Sequence, residues 1–146
     1  MNNTQFASAI LAMADKAKAD ALAQTEILSL GELIARIEAQ PQGQPIKVER
    51  DGALHNPGDV DSYRGYYSDL YIDYTEGDER DTASFLANLR SAVGKTFEGY
   101  KGGDYTMSRS TPVWVDQYSC CEGIGATGVE SRDGVTVITS ASCDSY

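Results

Sequence analysis

Seven residues combine aromatic rings with fixed positive charge in two short runs: Tyr63, Arg64, Tyr66, Tyr67, then Lys101, Tyr105 and Arg109. Rings stack on planar ligands, guanidinium and ammonium groups pair with phosphate, and the interleaved glycines let a ligand reach backbone N–H groups. That is the chemistry of a site for a small anionic ligand carrying a base. Five of the chain's nine tyrosines fall between Tyr63 and Tyr74. Two other readings stay open: tyrosines as ordinary strand formers with a polar tip, and tyrosines as a protein interface.

Other motifs fail on context. Gly94-Lys95-Thr96 imitates the end of a phosphate-binding loop, but position 89 is Leu89 where the pattern needs glycine. A helix precedes it where a strand is required, so Gly94 reads as a helix terminator. Gly123, Gly125 and Gly128 match G-x-G-x-x-G literally, yet a hairpin follows rather than a helix, which suggests a glycine-rich strand. Cys120, Cys121, Cys143 and the single His55 have no zinc-ligand spacing. No metal or cofactor is expected, and His55 reads as a surface residue in a Gly/Pro loop. Asp69 and Asp73 fall two steps apart on one strand face with Tyr71, and read as a solvated charged face. No catalytic residue is assigned, and an enzyme acting through Asp69, Asp73 or Asp104 is the least favoured reading.

The elements that must carry these residues follow from periodicity. Residues 4–24 are alanine-rich, with a thin helical stripe of Phe6, Ile10, Met13, Ala17 and Ala21. Thr25 or Ser29 starts the next helix, and Ser29 with Glu32 has the capping-box form. Residues 45–49 and 68–74 alternate as strands, while 50–61 read as loop from their Gly, Pro, Asn and Asp content. Asp81 or Thr82 starts a helix running through Val93. Residues 112–118 form a strand, and 125–130 with 135–139 form a hairpin turning at Asp133-Gly134. The order predicts an α+β fold with a mostly antiparallel sheet and two or three helices. Residues 1–28 are a helical extension, 29–140 the single domain, and 141–146 a flexible tail.

The chain has 146 residues and a net charge of −10. Such a field repels phosphate backbones, so generic nucleic-acid binding is not expected. It suits docking on a basic surface. No apolar run is long enough for a membrane helix and no leader is evident, so a cytoplasmic protein is expected.

The segments from Ser29 through Leu33-Ile34, SYRGYY at 62–67, GKTFEGYKGGDYTM at 94–107 and PVWV at 112–115 resemble small proteins of tailed phages and prophages. The resemblance spans about residues 29–139. It implies a setting more than a mechanism: the cytoplasm of a bacterial host, where small accessory phage proteins without catalytic motifs often antagonise anti-phage defence. The leading expectation is a non-enzymatic, oligomeric protein that sequesters an anionic nucleotide signal through the seven ring and cation residues. The alternative is an acidic protein inhibitor of a host defence nuclease or CRISPR complex.

Overall fold

A computed structural model describes residues 27–50, 52–62, 69–75, 77–98, 103–117 and 122–144. The helical extension foreseen at 4–24 lies outside the described residues.

Helix α1, Leu30–Glu38, begins where the capping box puts it. Ser29 is extended (φ −75, ψ 162), and its Oγ accepts from the Glu32 N–H at 3.2 Å. The Glu32 carboxylate accepts in return from the Ser29 N–H and hydroxyl. Leu30, Leu33, Ile34 and Ile37 recur at helical spacing and are buried. Ser29→Ala is expected to cost roughly 1 kcal/mol in urea denaturation, since one first-turn donor loses its partner. Helix α2, Thr82–Ala92, is capped by Asp81, whose carboxylate accepts from the Ser84 N–H at 2.7 Å. It ends as expected: Gly94 takes φ +80 and donates its N–H to the Met107 carbonyl at 2.8 Å. A helix therefore precedes Lys95-Thr96 and a strand follows it.

Among the described residues there are nine strands, numbered in chain order: β1 (Pro45–Arg50), β2 (Ala53–Ser62), β3 (Leu70–Thr75), β4 (Arg80–Asp81), β5 (Thr96–Glu98), β6 (Asp104–Thr106), β7 (Val113–Gln117), β8 (Glu122–Arg132) and β9 (Val135–Asp144). Seven form one sheet in the order β2-β3-β7-β8-β9-β1-β4, and β2 also pairs with β1. That extra pairing closes β1, β2, β3, β7, β8 and β9 into a ring. The pairs β1–β9 and β3–β7 are parallel, and the other contacts in the ring are antiparallel. The fold is α+β, with two helices among the described residues. The β8–β9 hairpin turns at Asp133-Gly134, both in the left-handed region at φ 51 and 78, as a two-residue hairpin needs.

Two expectations are corrected. Residues 53–61 are strand β2, not loop. The glycine and proline that suggested a loop mark a bulge instead: the β2–β3 register shifts between Pro57 and Val60, where an interrupted ladder tolerates a missing N–H. Residues 141–144 are not a loose tail; they extend β9, with Asp144 paired to Glu122.

Inside the ring lie Ile46, Val48, Leu70, Ile72, Val113, Val115, Ile124 and Ile138, meeting Leu33, Ile37, Phe85 and Leu89 of the helices. One short segment completes the wall. Residues 27–31 run as a strap between β7 and β8, next to the Trp114–Gly125 pair at which the β7–β8 ladder begins. The Leu28 N–H donates to Ala126 at 2.7 Å, and the Val113 N–H donates to Leu28 at 3.1 Å. The strap thus satisfies backbone groups that the two strands leave unpaired.

Candidate functional site

Of the seven ring and cation residues, Tyr63, Arg64, Tyr66, Tyr67 and Lys101 lie outside the described residues. Tyr105 sits on β6 opposite Phe97, half-buried, with its ring against the core. Arg109 is exposed in a tight turn at 108–111. The turn is held by Thr111 N–H to the Ser108 carbonyl (3.1 Å) and Ser108 N–H to Thr111 Oγ1 (2.9 Å). The Arg109 carbonyl accepts from Gly31 at 2.8 Å, which ties the turn to the start of α1. The chain leaves β2 at Ser62 and re-enters at Asp69, and the Leu70 N–H then donates to Pro112 at 2.9 Å. The attachment points of residues 63–68 and the Arg109 turn therefore share one end of the ring.

The carboxylates separate into two environments, against the expectation of a common solvated face. Asp69 is fully buried, and its Oδ2 accepts from Trp114 Nε1 at 2.9 Å. A buried carboxylate is retained where donors reach it, and here one donor comes from the neighbouring parallel strand. Asp73 is exposed. Asp69 and Asp73 thus differ in environment, and Asp104 lies elsewhere, on the small β5–β6 sheet.

Asp73 instead joins two acids of β2. A groove of about 520 Å³ lies between β2, α2 and β5, lined by Asp59, Asp61, Asp73, Asn88, Lys95 and Phe97 together with Val60. A second, of about 440 Å³, runs past Pro57 and Gly58 to Tyr74, Thr75 and Arg80. Asp59 and Asp73 border both. The two cations beside them are engaged. Lys95 Nζ lies 4.8 Å from the Phe97 ring centroid. Arg80 donates to the Gly58 carbonyl at 2.8 Å and lies over Phe85. All three carboxylates are exposed, so the grooves present net negative charge. Neither Tyr105 nor Arg109 lines them. Sequence reading missed Asp59 and Asp61 because 50–61 read as loop, and only the β2–β3 register brings them to Asp73.

His55 is not a surface loop residue either. It lies on β2, half-buried, with its ring stacked on Tyr74 at 4.9 Å between centroids. The glycines of the G-x-G-x-x-G match lie on β8, as a glycine-rich strand. A Cβ at Gly128 would fall 2.8 Å from Thr139 Oγ1, and one at Gly125 would fall 2.7 Å from Ile27. Close packing accounts for both. Cys143 pairs with Gly123 in the β8–β9 register, and Cys120 and Cys121 lie outside the described residues. Among the described residues, no three His, Cys, Asp or Glu side chains gather as a metal would need. Among them too, no helix is long and apolar enough to cross a membrane. No protein-family model, no curated protein and no solved structure matches the chain, so its function rests on the geometry of its own residues.

Proposed function

We propose that this chain is a non-enzymatic binding protein that docks through its acidic grooves on a basic surface of a partner protein. The observation that carries this is the line of exposed Asp59, Asp61 and Asp73 along two adjoining grooves whose cations are already engaged. The net charge of −10 adds a long-range field of the same sign. Such a field steers association with a positive patch and repels phosphate ligands from the grooves. In the tailed-phage setting that the resemblance implies, the partner is a host defence nuclease or CRISPR complex. Its basic surface would otherwise hold nucleic acid.

The test is capture from host lysate at low salt, with Asp59→Lys/Asp61→Lys/Asp73→Lys as the comparison. The wild type should retain a nucleic-acid-binding protein whose Kd weakens at least about tenfold in the triple variant and with added salt. Equal capture by a folded triple variant sinks the proposal.

A second reading, capture of an anionic nucleotide signal, keeps one observation in its favour. Residues 63–68 are attached beside the turn carrying Arg109. It requires a nucleotide in the supernatant of protein denatured after co-expression with a signalling defence system. It also requires weaker binding in Arg64→Ala and Lys101→Ala. Release of no nucleotide removes this reading.

A further inference from the structure

Strand β2 changes neighbours along its length. Its pairing to β1 covers Ala53, Leu54 and His55, while its pairing to β3 continues to Ser62. After the bulge, the edge of β2 that faces away from β3 has no strand beside it among the described residues. Register shows which backbone groups lie on that edge. The Leu70 N–H donates to Pro112, the residue before β7, so Leu70 and Ile72 turn their backbone groups toward β7 and away from β2. Leu70 opposes Ser62 and Ile72 opposes Val60, which makes both of these non-hydrogen-bonded pairs. The Val60 N–H and C=O therefore point outward from the open edge. The groups on either side are occupied. The Gly58 carbonyl accepts from Arg80 at 2.8 Å, and the Ser62 N–H donates to Asp61 Oδ1 at 2.7 Å. Neither backbone group of Val60 has a partner among the described residues.

That edge borders the groove of about 520 Å³ between β2, α2 and β5. The Val60 side chain belongs to the core, so its backbone is what it presents to the groove. On α2, which forms another wall, Asn88 Nδ2 is buried and meets no acceptor. A main-chain donor and acceptor and an amide donor thus stand unmatched in one groove, where each costs free energy until it is paired. An extended peptide carries both complements at every residue. We propose that the open edge of β2 takes an extended basic segment of the partner protein as an added strand. In antiparallel register one segment residue exchanges two hydrogen bonds with Val60. Its side chain points inward, as that of Val60 does. The segment residues before and after it point outward, to the face where Asp59, Asp61 and Asp73 are exposed. Basic side chains there meet three carboxylates, and Asn88 donates to a segment carbonyl. This mode rests on the docking reading above and adds the main chain as its second determinant.

The probe is the end-blocked peptide Lys-Val-Lys-Val-Lys, titrated into the isotope-labelled full chain at low salt. The Val60 amide is followed by nitrogen–proton correlation and hydrogen exchange. A saturable displacement with a Kd on the order of 1 mM or tighter is expected. Exchange at Val60, fast in the free chain, should slow at least about tenfold with peptide bound. Methylating both valine nitrogens of the peptide keeps its charge and removes the N–H groups that face Val60. It should weaken binding at least about tenfold, whereas methylating the central lysine nitrogen, whose N–H points away, should change it less than about threefold. Asn88→Leu should weaken binding about fivefold and leave the chain at least as stable in urea, because a buried donor without a partner is removed. Equal binding of the valine-methylated peptide, with loss in the Asp59/Asp61/Asp73 triple lysine variant, overturns the added strand and leaves acidic docking standing. Binding that the triple variant leaves unchanged overturns both. A Val60 amide already protected in the free chain, by its own residues or by a second copy, also overturns the added strand.

Discussion

Trp114→Ala is expected to lower stability by about 3–5 kcal/mol, a large share of what a domain of this size has. The indole is 1% exposed. Its neighbours on β3 and β8 are Tyr71 and Gly125 by register, so no bulky group can slide in from β8 to fill the space. The loss is more than volume. Trp114 Nε1 donates to Asp69, which has no exposed surface, and a buried carboxylate deprived of a donor keeps its desolvation cost. Trp114→Phe separates the two contributions. It keeps most of the ring, removes the donor, and is expected to cost about 1–3 kcal/mol. The measurement is urea denaturation followed by circular dichroism, because Trp114 is the only tryptophan and fluorescence would be lost with it. A phenylalanine variant as stable as the wild type would show that the Asp69 bond contributes little.

The second large effect is expected beside it, at Gly125. A Cβ built there falls 2.7 Å from Ile27 Cγ1, 3.2 Å from Cδ1 and 3.4 Å from Cγ2. The whole side chain would have to move. It cannot move cheaply, because the strap that carries it is hydrogen-bonded at Leu28 to β8 on one side and β7 on the other. Gly125→Val is therefore expected to cost about 1–3 kcal/mol through overpacking. Ile27→Ala alone should cost about 2–5 kcal/mol, as a buried side chain is lost. The double variant should be less destabilised than the sum of the two by 0.5 kcal/mol or more, roughly the coupling of residues in contact. Additive costs would mean that the strap yields without strain.

These two sites also show how far the sequence could be read. Both helix starts were visible, because a capping box and an Asp cap act within three residues of chain. The Gly94 terminator and the Asp133-Gly134 turn were visible for a similar reason: each meets a local φ requirement. Strand β2 was not. Its Pro57 and Gly58 are breakers in isolation, and only pairing to β3 on one side and β1 on the other turns them into a bulge. Cysteine-bearing residues 141–144 read as a tail because nothing local shows that β8 has a matching length to pair with them.

The candidate sites divide in the same way. Net charge by itself made generic nucleic-acid binding unexpected and a basic partner one candidate beside plain solubility, since charge is a sum that needs no fold. The clustering of rings and cations was equally a property of the chain. Tertiary structure decided which of these groups meet. It buried Asp69 against Trp114, 45 residues away, while leaving Asp73 in the open. It moved Asp59 and Asp61 from a supposed loop to a groove wall, and it set His55 against the Tyr74 ring. Register between distant strands made these choices: a shift of one residue turns every side chain to the opposite face. That register is set by which apolar faces can be buried together once the ring closes.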